Sequence, residues 1–439
     1  MRNCILAVFV GLFLGTTGQA GDDSASYWPQ WRGPNGTGAA VQGNPPIRWD
    51  EKTNIQWKVP LPGRGSSTPI VWGDKVFVTA AYDTGEKAPD KDIPTDKHNP
   101  NAKTREPTTY YNFMVFCFDR KTGNTLWKKT AAKLVPHEGF HPTHSYAAGS
   151  PVTDGKHLYV SFGSYGIFCY DLDGKLIWDR DLGDMHTRYA WGEGASPALF
   201  EDALAINWDN DGQSHVFVLN ARTGKTLWQK KRDEVTTWAT PAIAKHSGKT
   251  QLIMNGMTKV RSYDLKTGDI LWQCGGQTLN AIPSPIVADG VAYVMSGYRG
   301  AKAQALPLDA RGDITKSDKI LWELNEDTPY VPSPLLMGDR LYFTSKNFPF
   351  LTCVQRKTGK VLFTKRLPLG SLYGSPTGVD DRLYITDRSG TTLVLKNDGK
   401  SEIVAKNSLD ARIDASPVIV GNQLFLRGHE HLYCISEKK

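Results

Sequence analysis

The stretch "HEGFHPTHSYAAGSP", residues 137–151, places three histidines and one glutamate within eight residues. Imidazole and carboxylate groups bind zinc and act as general acids and bases, so these residues are able to do chemistry. Two histidines four residues apart share a face only on a helix, and Gly139 and Pro142 disfavour a helix here. We therefore favour a satisfied polar loop, with a metal site as the alternative. The metal-ligand candidates are His137, Glu138, His141 and, from a later loop, His186.

Further polar and aromatic residues follow in "DMHTRYAWGEGASP", "NWDNDGQSH" and "TTWATP". Tryptophan faces stack on planar ligands and sugar rings, and carboxylates bind cations or protons. "DNDG" resembles part of a calcium loop but lacks the glutamate that such a loop needs downstream, so we interpret it as an Asp-Gly turn. Trp238 is interpreted either as a stacking surface or as a plug of a tunnel mouth. The ligand-binding candidates are His144, Trp191, Glu193, Trp208, Asp209, Asp211 and Trp238.

The N-terminus has the pattern of a secretory signal. Arg2 precedes the apolar run of residues 4–15, which is too short to span a bilayer, and Gly18 and Ala20 provide small residues for cleavage. We expect a signal peptide over residues 1–20 and an exported mature chain, periplasmic or otherwise extracytoplasmic. No later apolar run is long enough to span a membrane. An uncleaved membrane anchor is the alternative.

Net charge and cysteine usage restrict the partners and the fold. The formal net charge is +7, but basic and acidic residues alternate, so no nucleic-acid partner is predicted. Cleavage removes Cys4 and leaves five cysteines, an odd number that rules out complete pairing within the chain. Four of the five fall in one repeated apolar slot, in "FCFD", "FCYD", "TCVQ" and "YCIS". We therefore predict buried thiols.

Two marks recur along the chain with the period of a propeller blade. Ser-Pro or Thr-Pro occurs at Pro69, Pro151, Pro197, Pro241, Pro285, Pro334, Pro376 and Pro417, at intervals of 41 to 49 residues from Pro151 onward. The second mark, typified by "KTGNTLW", ends in an aromatic residue that we expect to pack between blades. These structural docking positions are Trp57, Trp127, Trp178, Trp228, Trp272, Trp322 and Phe363.

Each unit between marks predicts four short strands, A to D, separated by Gly and Asp turns. The last unit stops after strand C, and "NIQWKVPL", residues 54–61, carries Trp57 in the place of the missing strand D. The sequence therefore predicts an all-β, eight-bladed propeller of four-stranded antiparallel blades, closed by its N-terminal strand, over residues 54–439. Residues 21–53 are expected to pack on it. An insertion of about residues 83–111 lengthens blade 1.

The longest loops are predicted to share one side of the disc. Because the strands alternate in direction, B–C loops and D–A connections lie on one face, which includes residues 137–150 and 184–196 and which we call the loop face. The A–B and C–D turns lie on the opposite face, which we call the turn face. The lengthened "DARGDITKSDK" of blade 5 belongs there. The candidate residues above are thus expected to converge on the loop face, over blades 1 to 4.

The repeated "T-G-K-x-L-W" resembles the tryptophan-docking repeat of the pyrroloquinoline quinone (PQQ)-like propellers, over essentially the whole mature chain. This superfamily, the quinoprotein alcohol dehydrogenase-like propellers, includes PQQ-dependent dehydrogenases and an outer-membrane assembly lipoprotein. "WPQWRGPNGTG", residues 28–38, is most similar to exported bacterial PQQ-like repeat proteins of unassigned activity. The dehydrogenases hold PQQ between a tryptophan and a ring of adjacent cysteines, beside calcium bound by Glu, Asn and Asp. No two cysteines are adjacent here.

We interpret the protein as a binding or interaction scaffold that uses the loop face, with a protein or cell-envelope partner. No nucleophile–base pair is convincing, so no catalytic residue is assigned. The first alternative is a PQQ-dependent oxidoreductase, in which Trp238 would stack on PQQ and Glu193 and Asp209 would approach calcium. A polysaccharide-acting enzyme is a minor alternative, because aromatic platforms stack on sugars but no carboxylate pair is placed. The sequence leaves the ligand and the oligomeric state open.

Overall fold

The structure, a computed structural model, describes residues 23–94 and 99–437. The predicted signal peptide lies outside these residues. Eight antiparallel sheets form the fold, each with its first strand at the axis and its last strand at the rim. The predicted all-β, eight-bladed propeller is therefore confirmed.

The strands are short, and tight turns join most of them. In chain order they are β1 (Ile55–Pro60), β2 (Ile70–Trp72), β3 (Lys75–Lys87), β4 (Thr109–Asp119), β5 (Thr125–Leu134), β6 (Val152–Thr153), β7 (His157–Ser161), β8 (Ile167–Asp171), β9 (Leu176–Arg180), β10 (Ala198–Phe200), β11 (Ala203–Trp208), β12 (His215–Asn220), β13 (Thr226–Lys231), β14 (Ala242–His246), β15 (Lys249–Met254), β16 (Val260–Asp264) and β17 (Ile270–Cys274). They continue with β18 (Ile286–Ala288), β19 (Val291–Ser296), β20 (Lys302–Pro307), β21 (Gly312–Asp313), β22 (Trp322–Leu324), β23 (Leu335–Met337), β24 (Arg340–Thr344), β25 (Phe350–Gln355), β26 (Val361–Arg366), β27 (Thr377–Val379), β28 (Arg382–Thr386), β29 (Thr391–Lys396), β30 (Ile403–Ser408), β31 (Val418–Val420), β32 (Gln423–Arg427) and β33 (His431–Ile435). Short 3-10 turns occur at Asp23–Ser26, Asp90–Asp92, Gly163–Tyr165 and Arg188–Ala190.

The blades follow one another in chain order, and blade 8 combines strands from both ends of the chain. Blades 1 to 4 are β2–β5, β6–β9, β10–β13 and β14–β17, and β21 pairs with the outer edge of blade 4. Blades 5 to 7 are β18–β20 with β22, β23–β26 and β27–β30. In blade 8, β31–β33 are completed by β1, which pairs antiparallel with β33 and sets Trp57 opposite Cys434. This pairing closes the ring and leaves no open blade edge between the first and last units.

The repeated Ser or Thr before proline forms a closed ring of hydrogen bonds around the axis. In each blade the N–H of this residue donates to the hydroxyl of its counterpart in the next blade, at 2.9 Å in seven cases. The circuit closes from Ser416 to Thr68 at 3.2 Å. Its members are Thr68, Ser150, Ser196, Thr240, Ser284, Ser333, Ser375 and Ser416. Hydroxyl residues recur at this position because each accepts the bond that joins two blades.

The docking tryptophans form a second ring, farther from the axis. Indole N–H groups donate to a backbone carbonyl of the next blade at 2.7 to 3.0 Å for Trp57, Trp127, Trp178, Trp228 and Trp322. Each ring also covers a glycine of the next C–D turn. Gly224 illustrates the constraint, because its φ is +68° and a Cβ there would lie 2.8 Å from the indole of Trp178. These five indoles therefore lie between consecutive blades.

Trp272 departs from the pattern. It is fully buried but donates to the side chain of Gln251 in its own blade, at 3.1 Å. The lengthened C–D turn of blade 5 explains the difference, because Ala310 and Ile314 from that turn pack in the same apolar cluster as Trp272. Phe363 occupies the equivalent position of its blade but has no side-chain N–H to donate to the next blade.

The five cysteines of the described residues are buried and unpaired, as predicted. Cys117, Cys169, Cys353 and Cys434 each lie opposite a docking aromatic on the neighbouring strand. Burial raises the pKa of Cys117 and Cys169 to about 12 and that of Cys274 and Cys353 to about 11. These thiols are therefore protonated, weakly nucleophilic packing groups.

Candidate functional site

A cavity of about 430 Å³ opens at the axis of the loop face. Its floor includes hydroxyl groups of the axial ring, among them Thr68, Ser196 and Thr240. Its walls are predominantly aromatic, and the residues used below are Trp31, His141, His144, Trp191, Trp238, Tyr298, Tyr330, Tyr373 and Asp414. The size and lining are those of a small-molecule site.

Trp238 and His144 are held rigidly at one side of this axial cavity. The Trp238 indole donates to the carbonyl of Gly192 at 2.7 Å, and its backbone N–H donates to Ala281 at 3.0 Å. His144 Nε2 lies 2.8 Å from the carbonyl of Glu193 and donates to it. Burial lowers the pKa of His144 to about 4, so the imidazole is neutral at physiological pH. This wall therefore offers planar, uncharged surfaces.

The opposite wall comes from blades 5 to 8. Tyr298 and Tyr330 stack with ring centroids 4.8 Å apart, and the guanidinium of Arg388 lies 3.8 Å from the centroid of Tyr373. Arg388 also contacts Asp414 through two hydrogen bonds, at 2.6 and 3.1 Å. Burial acts to raise the pKa of Asp414, but hydrogen bonds from His429 and Arg388 keep it below its ordinary value. The aspartate is thus ionised and its charge is compensated.

The predicted ligand residues separate into two groups. His144, Trp191 and Trp238 line the axial cavity, together with His141 from the metal set. Glu193 and Asp209 instead line a much smaller cavity of about 20 Å³ behind Trp238. Trp208 packs edge-on against Phe217 in a blade core, 4% exposed. Asp211 accepts bonds from the N–H and hydroxyl of Thr236, at 3.1 and 2.7 Å.

Asp209 forms a fully buried ion pair with Arg232. The guanidinium donates to both carboxylate oxygens, at 2.6 and 3.1 Å, and both side chains are 0% exposed. Thr237 donates a further bond of 2.7 Å to Asp209. The carboxylate therefore has its partners within the protein, and it joins the D–A connection that carries Trp238 to blade 3.

The His-rich loop is anchored through Glu138, which is 3% exposed. Its carboxylate accepts bonds from Asn99 at 2.8 Å, from His186 at 3.1 Å, and from the N–H and hydroxyl of Thr187 at 3.0 and 2.9 Å. Asn99 belongs to the insertion of blade 1 and Thr187 to the next D–A connection. Glu138 therefore joins three loop-face segments.

Residues 137–141 also spell H-E-x-x-H, which binds zinc when both histidines lie on one helical face. The structure forms no helix there. His137 Nε2 contacts the carbonyl of Met185 at 2.9 Å, whereas His141 points into the axial cavity and contacts Thr143 at 2.8 Å. Within residues 23–94 and 99–437, no group of three or more His, Cys, Asp or Glu side chains could hold a metal ion.

The Glu193 carboxyl is expected to make stability depend on pH. It accepts the N–H of Ser164 at 2.9 Å, and desolvation raises its pKa to about 8. Because the unfolded carboxyl titrates near 4.5, the native state binds more protons between these values and loses stability as the pH rises through them. Relative to Glu193→Gln, the native protein should lose about 2 kcal/mol between pH 5 and pH 7.

Urea unfolding at several pH values measures this difference. Asp211→Asn is a suitable control, because it changes a carboxylate of the same face that accepts two hydrogen bonds from Thr236. Parallel stability curves for the native protein and Glu193→Gln over this interval would contradict the prediction.

About half of the residues that line the axial cavity were not predicted from the sequence. Trp31 comes from the N-terminal segment, and Tyr330, Tyr373 and Asp414 come from later D–A connections. A signal was present, because each of these last three stands two or three residues before the Ser-Pro mark, and Trp238 stands two residues before Thr240. The predicted site was placed over blades 1 to 4 because the longest loops occur there.

The eight blades, the circle of docking tryptophans between them and the axial cavity define a PQQ-like β-propeller. The family model described as outer membrane protein assembly factor BamB matches residues 112–365 and 308–438, and the chain belongs to this family. The resemblance noted from the sequence is thereby confirmed. No helix of the described residues is long and apolar enough to cross a membrane.

The chain is similar to proteins with three different named activities or roles. The chain is 21% identical over 357 residues to a tetrathionate hydrolase of Acidithiobacillus ferrooxidans, covering 75% of this chain but only 64% of the hydrolase. It is 22% identical over 377 residues to the outer membrane protein assembly factor BamB of Burkholderia pseudomallei, covering 82% of this chain and 81% of that protein. The quinohemoprotein alcohol dehydrogenase from Comamonas testosteroni superposes with a TM-score of 0.65 at 11% identity, covering 96% of this chain and 82% of that one. Such likeness shows the fold alone.

Proposed function

We propose that the protein is an exported binding scaffold that holds a protein or cell-envelope partner on the loop face, and that its axial cavity receives a small, uncharged, ring-bearing group. The observation that carries this proposal is the aromatic lining of the 430 Å³ cavity. The signal-like N-terminus supports export. The named role of the Burkholderia pseudomallei relative in outer membrane protein assembly agrees with a binding function in the cell envelope.

The chemistry of the axial cavity selects an uncharged group. His144 is neutral, and the charge of Asp414 is compensated by Arg388. Neither residue therefore offers an uncompensated charge to a charged ligand. Trp191, Trp238 and the tyrosines supply flat apolar surfaces for stacking. The hydroxyls of the floor donate and accept hydrogen bonds, which fixes the orientation of a polar ring substituent.

The alternative, a calcium-dependent PQQ dehydrogenase, fits these residues poorly. The described cysteines lie in blade strands, so none provides the cysteine ring that the resemblance requires above the quinone. Glu193 is protonated below a pKa of about 8 and faces the small cavity, and Asp209 is neutralised by Arg232. A divalent cation prefers ionised, unpaired oxygen ligands. We therefore derive no reaction step through PQQ.

Titration of the mature protein with indole, cellobiose, PQQ, and PQQ with calcium tests both functions. We expect at least one of the two uncharged probes to bind saturably, as measured by calorimetry. Trp238→Ala should weaken that binding at least about tenfold, because it removes the stacking surface at the centre of the wall.

Leu227→Ala is the matched control, because this side chain is 53% exposed on an outer strand away from the cavity and should leave binding unchanged. Absence of binding by both uncharged probes would contradict the proposed cavity function. Calcium-dependent PQQ binding, accompanied by alcohol-dependent dye reduction, would replace it with the dehydrogenase function.

A further inference from the structure

The inner edges of the A strands carry backbone groups that point to the axis. In blade 1, strand A and strand B are joined by a two-residue turn, and Val71 pairs with Val76 in the position where the two strands do not exchange hydrogen bonds. Its N–H and C=O therefore face away from strand B. The same holds for the third residue after the Ser or Thr mark in the other blades, because the sheets share this register.

The chain's own N-terminal segment, residues 28–44, satisfies these groups in blades 1, 2, 6 and 7, and it contacts blade 8 at the turn between strands A and B. Val71 exchanges two bonds with Trp28, at 2.9 and 3.0 Å, and Thr153 donates to Pro29 at 2.9 Å. After crossing the axis, the segment meets blades 6 to 8. Its bonds there are Leu336 to Thr37 at 3.0 Å, Gly378 to Gly38 at 3.0 Å, and Asn44 to Gly421 at 3.0 Å. Blades 1 and 2 are thus reached by the adjacent residues Trp28 and Pro29, and blades 6 and 7 by Thr37 and Gly38.

Blades 3, 4 and 5 have no such cover. Their equivalent residues, Leu199, Ile243 and Val287, line a second cavity of about 330 Å³ between the A strands and the crossing segment, residues 30–36. All three are partly exposed, whereas their counterparts in the covered blades are buried. No backbone partner outside the strand ladders reaches these three N–H groups from the part of the chain that the structure describes.

Arg32 adds an uncompensated positive charge to the wall of this second cavity. The side chain is 5% exposed, and Nη2 donates to the carbonyls of Pro334 at 2.7 Å and Pro376 at 2.9 Å. Nε and Nη1 are buried without a partner, and no carboxylate of residues 23–94 or 99–437 forms an ion pair with it. Burial lowers its pKa to about 9, which still leaves the guanidinium charged at neutral pH. A buried, unpaired charge favours an anion.

We propose that this second cavity binds the C-terminal residues of a partner polypeptide as an extended segment along the free edges of blades 3 to 5, with the terminal carboxylate near Arg32. The partner backbone pairs with Leu199, Ile243 and Val287 as the N-terminal segment pairs with the equivalent residues of blades 1, 2, 6 and 7. Strand addition to an open edge and capture of a terminal carboxylate are established modes of peptide recognition.

The dimensions and walls restrict the occupant further. Between blades 1 and 2 and between blades 6 and 7 the segment advances by one residue per blade, so three open blades accommodate about three residues of a similarly placed backbone. Ala198, Ala242 and Ala244 form part of the wall, which favours small or β-branched apolar side chains. This site lies beneath the axial ring, and Trp31 and Thr240 line both this site and the aromatic cavity of the loop face.

The test uses N-acetyl-Ala-Val-Ala with a free carboxylate and the same peptide with a C-terminal amide, titrated into the mature protein and followed by ligand-detected NMR. The acid should bind saturably, and the amide at least about tenfold more weakly, because it lacks the charge that Arg32 compensates. Ile243→Pro removes the edge N–H without disturbing the ladder and should weaken binding of the acid about tenfold. Ile243→Leu keeps the N–H and should bind like the native protein.

Val287→Pro with Val287→Leu is a second matched pair, used if Ile243→Pro does not melt cooperatively. Arg32 is not substituted, because its bonds to Pro334 and Pro376 also join two blades. The proposal is overturned if the acid fails to bind, if the amide binds equally well, or if the proline and leucine variants of a folded pair bind alike.

Discussion

Replacing Trp178 by alanine is expected to lower the free energy of unfolding by about 3–5 kcal/mol. This indole is 9% exposed, covers Gly224 of the next blade, and donates to the carbonyl of Ala221 at 2.8 Å. Alanine removes the apolar contact across the blade interface and leaves that carbonyl without its donor. Chemical denaturation followed by circular dichroism measures the change.

Trp178→Phe separates packing from hydrogen bonding. Phenylalanine already occupies the equivalent slot at Phe363, so the larger part of the contact should be retained and the loss should be about 1 kcal/mol. Leu227→Ala, on an exposed position of the next blade, should change stability by less than about 0.5 kcal/mol. Equal losses for the alanine and phenylalanine variants at position 178 would show that the indole does not join the blades by packing.

Replacing Asp209 by alanine is expected to destabilise the protein by about 3–5 kcal/mol, because it leaves the Arg232 guanidinium buried without a counter-charge. The bond from Thr237 is lost as well. Since Thr237 precedes Trp238, the axial cavity should lose order together with stability. Denaturant unfolding and near-ultraviolet circular dichroism report the two effects.

The double variant Asp209→Leu with Arg232→Met is the control. Apolar residues of similar size replace both members of the pair, so most of the stability should return. A double variant as unstable as Asp209→Ala would indicate that the hydrogen bonds around the pair, rather than the unpaired charge, account for the loss. A stable Asp209→Ala variant with unchanged near-ultraviolet signal would contradict the prediction.

The loop face shows why the candidate site was only partly predictable. His144, Trp191 and Trp238 were predicted to converge, and the structure places them in one cavity. Glu193 follows Trp191 closely in sequence, yet both Glu193 and Asp209 face the small cavity behind Trp238. In an irregular connection the direction of each side chain depends on its packing partners, and no local periodicity encodes it.

The propeller itself was determined by the sequence. The Ser/Thr-Pro mark, the Gly of the C–D turn and the docking aromatic are local signals, each tied to a hydrogen bond, a positive φ or a packed ring that every blade needs. Their recurrence specifies eight similar units, and Trp57 ahead of the first complete unit specifies the closure by β1. The buried cysteines follow from the same register.

Only the tertiary structure decided what meets at the axis. Trp31 and Tyr373 are separated by most of the chain, yet both line the axial cavity, because a closed ring brings all eight blades to one centre. The same closure leaves three inner strand edges uncovered, since the N-terminal segment crosses the axis between blades 2 and 6. Such contacts depend on the geometry of the whole ring, which spacing along the chain does not express.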